Sequence, residues 1–294
     1  MKRYGSIFWH GFAKIIKLVF TLVCRIFGVA MAIFKPLLRL IQILYSLYAF
    51  ALFIVVIVGI LFPCLILCLP LGRIKGGNIM FDLYRFLGRL WYWMLGIRHS
   101  NHYESTPDPN GQYIFIANHI SYLDAVDIIL TLKHDFRAIG KFELLKVPIF
   151  GFLYRFCVVT VNRSSAEDRA RSLADLRKML AKGISIMVFP EGTFNMADGP
   201  LAQFYDGAFK LAVETGKPIQ PILLLDTFDR LHYRNVFTLT PGRARAVYLA
   251  PIDPAQHPGA DHKALKELAI KHMSDKLIEY RASWINPNYF HPPR

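Results

Sequence analysis

Between Arg39 and Arg73 the chain runs for 33 residues without a formal charge, and its centre is the continuous apolar stretch Ala51-Leu52-Phe53-Ile54-Val55-Val56-Ile57-Val58. Runs beyond roughly 18 apolar residues are membrane-helix candidates, because a soluble core would have to cover them on every side. A cleaved secretory signal fits less well, since its apolar region is about 7 to 15 residues long and lies nearer the N-terminus. As a helix the run would reach roughly 50 Å, too long for one upright crossing of about 30 Å and too short for two. Pro63 and Pro70 are the expected breaks, leaving either a tilted span over about 40–62 or a re-entrant hairpin.

Charge is distributed to match. The first acidic residue is Asp82, so residues 1–81 carry nine basic side chains and no acid, whereas the remainder holds 26 basic and 21 acidic groups. A basic, acid-free segment suits nucleic acid or an anionic membrane surface, and its hydrophobicity selects the membrane. At 100° per residue, Arg3, His10, Lys14, Lys17, Arg25, Lys35 and Arg39 fall within an arc of about 80°. That is a narrow basic stripe on an apolar helix, suited to lie at the interface with Lys and Arg reaching anionic head groups. A second spanning helix is the competing reading. Pro36 is expected to separate this helix from the next. The cysteines Cys24, Cys64, Cys68 and Cys157 show neither zinc spacing nor a disulfide framework, so they read as buried structural thiols.

At 54% hydrophobic the chain is too apolar for a disordered protein, and at 19% charged too polar for a polytopic transporter. From about Leu83, β-rich runs alternate with amphipathic segments. Strands are expected over 112–117, 157–161, 184–189, 219–225 and 246–250, and helices over 122–133, 166–181, 204–215 and 262–280. This alternation predicts one α/β domain with a mainly buried central sheet flanked by helices, over residues 76–294, preceded by α-helical membrane-associated sequence over residues 1–75.

Chemistry is then expected in the loops that follow strands. After Tyr113-Ile114-Phe115-Ile116 comes Asn118-His119-Ile120-Ser121-Tyr122-Leu123-Asp124 and a helix. Ser121 and Asp124 form an S-x-x-D capping box, which is the structural reading. The chemical reading adds that a carboxylate from the first helical turn fixes the tautomer of a loop imidazole and stabilises the imidazolium when His119 takes a proton. A second post-strand turn, Phe189-Pro190-Glu191-Gly192-Thr193, offers a carboxylate, a hydroxyl and free backbone N–H groups suited to a polyol or phosphate. Lys141 and Arg163 offer cations, Arg with a bidentate fork for phosphate.

Together and in this order, these blocks resemble the glycerolipid acyltransferase family, and most closely bacterial 1-acyl-sn-glycerol-3-phosphate acyltransferases. His119 and Asp124 match its N-H-x-x-x-x-D motif, Arg163 ends the second block after Lys141 and Pro148, Phe189 to Thr193 match the third, and Pro218-Ile219-Gln220-Pro221-Ile222 match the fourth. The resemblance covers about residues 85–250. It implies a His119–Asp124 catalytic dyad and an acceptor site drawing on Lys141, Arg163, Glu191, Gly192 and Thr193. The implied reaction is transfer from an acyl carrier protein or coenzyme A thioester to the sn-2 hydroxyl of 1-acylglycerol-3-phosphate, giving phosphatidic acid. It would run on the cytosolic face of a bacterial inner membrane. The chain departs from the family at Phe194-Asn195, where Arg or Ser is common, and at Asn162, where Asp is common. Those departures keep open O-acylation of another lysolipid, such as a lyso-aminolipid; a non-enzymatic, membrane-anchored lipid-binding protein is a further alternative.

The residues themselves fit thioester chemistry. A thioester is already activated, so a base that deprotonates the acceptor hydroxyl suffices, and imidazole, with an ordinary pKa of about 6.5, suits that task. Lys141 or backbone N–H groups are candidates for the oxyanion donor. No cofactor or metal is called for beyond the acyl thioester as co-substrate, and no nucleic-acid partner. There is no G-x-S-x-G elbow, P-loop or H-E-x-x-H, which argues against a serine hydrolase, a nucleotide hydrolase and a zinc protease.

Overall fold

The computed structural model describes residues 2–161, 166–197 and 199–287. It opens with one long helix, α1 (Lys2–Pro63), and the apolar stretch Phe34–Cys68 is long and apolar enough to cross a membrane. Pro36 lies inside α1 and does not divide it. Proline forfeits one backbone hydrogen bond, but ending the helix there would unpair several more in apolar sequence. The side chains of Arg3, His10, Lys14 and Lys17 lie outside the described residues, and so does the stripe they would form. Pro63 does end α1. Two π-helical turns follow, Cys64–Cys68 and Gly72–Gly76, and they reverse the chain into α2 (Gly77–Met94). Gly76 permits this reversal, since a Cβ there would collide with the Cys68 carbonyl.

The α/β domain then follows as β1 (Ile97–Tyr103), β2 (Ile114–Ala117), α3 (Asp124–Thr131), β3 (Phe136–Lys141), α4 (Phe150–Tyr154), β4 (Val158–Val161), α5 (Ala166–Ala181), β5 (Ser185–Val188), α6 (Gly207–Thr215), β6 (Ile219–Leu224), α7 (Thr227–Arg230), β7 (Gly242–Tyr248) and α8 (His262–Glu279). The seven strands form one sheet in the order β1-β7-β6-β2-β5-β3-β4, parallel except for β6 against β7. Each expected strand and helix of the domain is present, shortened by a few residues at most ends. The unforeseen elements are β1, β3, α2 and the short α4 and α7.

Both sheet faces are covered, as parallel strands require. One face packs Leu176 and Leu180 of α5, Phe209 and Leu211 of α6, and Leu265 and Met273 of α8. The other packs Met80 and Phe81 of α2, Ile128 of α3, Leu153 of α4, and Ile60 with Cys64 from the end of the membrane-type sequence. Cys64, Cys68 and Cys157 are free and buried, as expected of structural thiols. Because β2, β3, β5 and β6 run the same way, the loops after all four emerge at one edge of the sheet, where ligands bind in open α/β folds.

Candidate active site

The loop between β2 and α3 is held from several directions. The Asn118 side chain imitates a strand, donating from Nδ2 to the Leu224 carbonyl at 3.0 Å and accepting the Leu224 N–H at 2.8 Å. This ties the start of the loop to the end of β6. The next residue, His119, donates its imidazole Nδ1–H to Asp124 Oδ2 at 2.8 Å. That Asp124 oxygen also accepts the backbone N–H groups of Ile120 at 2.6 Å and Ser121 at 2.8 Å, while Oδ1 accepts the Thr227 hydroxyl at 2.6 Å. Asp124 is fully buried. The Ser121 interaction is half of the expected capping box, so one carboxylate both starts the helix and holds the imidazole.

The tautomer follows from this inventory. A carboxylate only accepts, so Nδ1 carries the hydrogen and Nε2 is left with the lone pair of a base. His119 remains 22% exposed, enough for a solvent-side approach. Phe189 stacks on the imidazole, with centroids 4.2 Å apart and planes 18° apart, and Phe194 leans on it at 4.4 Å and 56°. These rings restrict imidazole rotation. Phe194 also meets Tyr122 and Tyr233, so aromatic rings line this side of the histidine.

The turn after β5 clamps the main chain of His119. Glu191 Oε1 accepts the His119 N–H at 2.7 Å, and Asn195 donates its N–H to the His119 carbonyl at 2.7 Å. The other Glu191 oxygen accepts the Ala202 N–H at 2.7 Å, and the residue is only 2% exposed. Its carboxylate therefore faces inward and joins two loops rather than lining an open acceptor site. Burial pushes the Glu191 carboxyl up to about 7, assisted by the Asp124 charge and opposed by its two backbone donors. Gly192 takes φ 69° to complete the turn, and Thr193 is exposed beside it.

The expected cations are placed less centrally. Lys141 ends β3 as an exposed side chain, two strands from β2, and Arg163 and Asn162 lie outside the described residues. Sequence reasoning missed Thr227, which completes the Asp124 coordination from the turn after β6. Its neighbour Asp226 is fixed by a bidentate pair with Arg245 at 2.7 and 2.8 Å. The available signal was a hydroxyl three residues after the end of the strand of the fourth block. On the α5–α6 side, a mostly apolar cavity of about 570 Å³ runs between Leu173, Leu176 and Leu211 and reaches Phe189, Pro190 and Gly192. Phe189 thus borders both the cavity and the imidazole. Among the described residues no cluster of His, Cys, Asp and Glu could hold a metal ion.

A sequence model of the acyltransferase family matches residues 97–225. The chain is 29% identical over 204 residues to the 1-acyl-sn-glycerol-3-phosphate acyltransferase of Haemophilus influenzae, covering 66% of this chain and 82% of that one. It is 29% identical over 213 residues to the chloroplastic 1-acyl-sn-glycerol-3-phosphate acyltransferase LPAT1 of Arabidopsis thaliana, covering 68% and 58%. Against the Arabidopsis, Chlamydomonas and Brassica relatives it spans 52 to 58% of their length. The crystal structure of the acyltransferase PlsC from Thermotoga maritima superposes with a TM-score of 0.67 at 22% identity, over 85% of this chain and 99% of that one, a likeness of fold. The ordered sequence blocks, the seven-stranded fold and the matched span agree, and the α/β domain of this chain matches the acyltransferase family over residues 97–225.

Proposed function

We propose that this protein transfers an acyl group from an acyl carrier protein or coenzyme A thioester to the sn-2 hydroxyl of 1-acylglycerol-3-phosphate, producing phosphatidic acid. The observation that carries this reading is the His119 Nδ1–Asp124 Oδ2 bond at 2.8 Å, which leaves Nε2 unprotonated and accessible. Nε2 removes the hydroxyl proton as that oxygen attacks the thioester carbonyl. Asp124 stabilises the imidazolium, the tetrahedral intermediate expels the thiolate, and the imidazolium returns its proton to the leaving sulfur. Direct transfer needs no acyl-enzyme. Lys141 and Arg163 are the proposed contacts for the acceptor phosphate, with Gly192 and Thr193 offering polar groups at the turn. The apolar cavity beside Phe189 has a volume suited to an acyl chain.

The acceptor is anchored in a bilayer, and α1 fits that setting. Ala49 and Ile60 of α1 pack on the domain, whereas Phe50, Val55 and Phe62 are 62 to 71% exposed. A helix lying along the domain in this way fits immersion in one leaflet better than an upright crossing, with the dyad at the cytosolic head-group plane of a bacterial inner membrane. The second reading, acylation of a lysolipid without a phosphate, draws on one observation: the aromatic side chain of Phe194 lies against His119. Thioester consumption by the purified full chain with a panel of lysolipids tests both. Robust turnover with 1-acylglycerol-3-phosphate supports the first reading, turnover confined to phosphate-free acceptors supports the second, and no turnover with any acceptor refutes both.

A further inference from the structure

The loop between β3 and α4 is built unlike a water-facing loop. Phe142–Lys146 forms a single 3-10 turn with no buried residue. Phe142, Leu144, Val147 and Ile149 are 37 to 44% exposed, giving four large apolar side chains within eight residues. Ile149 holds φ 60° and ψ −59° at the centre of a γ-turn closed by the Phe150 N–H to the Pro148 carbonyl, a conformation unfavourable for a β-branched residue. A contiguous exposed apolar patch of this kind marks an interaction surface.

Two observations identify what it meets. The first is continuity with the membrane-type sequence. Leu153 of α4, directly after the loop, belongs to the same buried cluster as Ile60, Cys64 and Cys68, where that sequence ends. Next to it, Leu65, Ile66 and Leu69 of the π-helical reversal are 45 to 54% exposed. The second is charge. Exposed Lys146 and Arg155 stand at the border of the patch against the single acid Glu143, and Arg155 lies 5.3 Å over the Phe152 ring. Apolar side chains fringed by cations are the composition of an interfacial contact with anionic lipid. The loop follows β3, so it emerges at the same sheet edge as His119.

We infer that Phe142–Ile149 is a second membrane contact, separate from α1, which inserts its apolar side chains into the leaflet that holds the acceptor. Two contacts at different points define a plane, whereas α1 alone would leave the domain free to roll about the helix axis. This inference rests on the proposed membrane-borne acceptor, and its test separates the two.

The test uses the full chain in sealed phosphatidylethanolamine–phosphatidylglycerol vesicles, with an environment-sensitive fluorophore on Val147→Cys in a Cys24→Ser background. The other native thiols are buried. A control label on Lys182→Cys reports an exposed turn before β5, at the far edge of the sheet. A blue shift and quenching by lipid-borne quenchers at 147, but not at 182, are expected. Equal, water-like emission at both sites overturns the inference. A blue shift that appears only on adding acyl carrier protein overturns it too, in favour of a protein partner. In parallel, Val147→Asp with Ile149→Asp should lower the rate on vesicle-borne acceptor about tenfold or more, while a water-soluble short-chain acceptor is turned over as by the unmodified chain. Equal losses on both acceptors indicate a structural role and overturn it. If no acceptor is turned over, the functional proposal fails, while the fluorescence still decides the membrane contact.

Discussion

Replacing Asp124 with asparagine separates two contributions that one carboxylate makes. Three N–H donors converge on Oδ2, from His119, Ile120 and Ser121, so the amide oxygen of the asparagine must occupy that position. The opposite orientation would aim an NH2 group at two backbone donors and leave them unsatisfied, at about 1–3 kcal/mol each. With the oxygen inward, the amide NH2 faces Thr227, whose hydroxyl has lone pairs to accept it. The hydrogen bonds and the imidazole tautomer therefore survive, and what disappears is the negative charge opposite the imidazolium. At about 4 Å between charge centres and an effective dielectric near 20, that attraction is about 4 kcal/mol. Since ~1.4 kcal/mol is tenfold in rate, Asp124→Asn should lower kcat about a thousandfold.

The assay is thiol release from a saturating acyl thioester with lysolipid in mixed micelles, alongside thermal unfolding to establish that the variant folds. A cycle with His119→Ala sharpens it. Asp124 acts through the imidazole, so Asp124→Asn should cost almost nothing further once His119 is gone. A folded Asp124→Asn protein within about tenfold of the parent rate would refute the electrostatic argument. Fully additive losses would show that Asp124 acts independently of His119.

Thr227→Val leaves Asp124 Oδ1 buried without a donor, a cost of about 1–3 kcal/mol, so kcat should fall roughly 5- to 150-fold and Thr227→Ser should restore most of it. Glu191 is raised from 4.5 to about 7, so its contribution to stability is fully present below pH 4.5 and is lost as pH rises through about 7. Glu191→Gln should remove that decline of about 3 kcal/mol, and parallel denaturation curves for the two proteins across that window would count against it. Burial likewise raises Asp127 from 3.8 to about 8, opposed by its hydrogen bond from Tyr92, so stability should fall as pH rises between those values. Asp127→Asn should flatten that fall when unfolding is followed by denaturant titration. If Arg163 holds an acceptor phosphate, Arg163→Ala should raise the lysolipid KM far more than the thioester KM, with Lys restoring part of it; equal changes in both would remove it from the acceptor site.

What the sequence made legible, and what it hid, follows from how far each interaction reaches along the chain. Periodicity exposed the buried strands Ile114–Ala117 and Ser185–Val188, because both their faces are covered and only apolar residues fit. It missed β1, Ile-Arg-His-Ser-Asn-His-Tyr, because a partly exposed edge strand tolerates polar residues on most positions. It missed β3, Phe136–Lys141, because an arginine, a lysine and a glycine interrupt the run. Pro36 gave a false break because a local rule was applied where the gain from continuing the helix is larger. In the site, His119 and Asp124 were readable because five residues separate them. Thr227 reaches Asp124 across 103 residues, and no local pattern contains that closure. The direction of the Glu191 side chain is likewise set by tertiary packing, since its partners are backbone N–H groups of two different loops.

The same long-range contacts explain how membrane-type sequence can serve a site placed at the end of a sheet. Tyr45 of α1 donates its hydroxyl to the Leu95 carbonyl at the end of α2, and Trp91 of α2 donates its indole N–H to the Ala49 carbonyl at 3.1 Å. One residue further on, Tyr92 donates to Asp127 Oδ1 at 2.6 Å. Asp127 lies in the same first turn of α3 as Asp124. Three side-chain hydrogen bonds therefore lead from α1 through α2 to the helix that supplies the dyad carboxylate, and Trp91, Tyr92 and Asp127 are buried along that path. From the same face of α1, Gln42 donates to the Thr238 carbonyl and Ser46 accepts the Leu239 N–H. The loop they hold also contains His232, bridged to Ser121 within the His119–Asp124 segment. α1 is thus attached to the dyad loop by two routes, one through α2 and α3 and one through the loop of Thr238 and His232. Such an arrangement resists independent drift of anchor and site, so that, on the proposed function, a lipid held at a fixed depth by the bilayer would meet His119 at a fixed height.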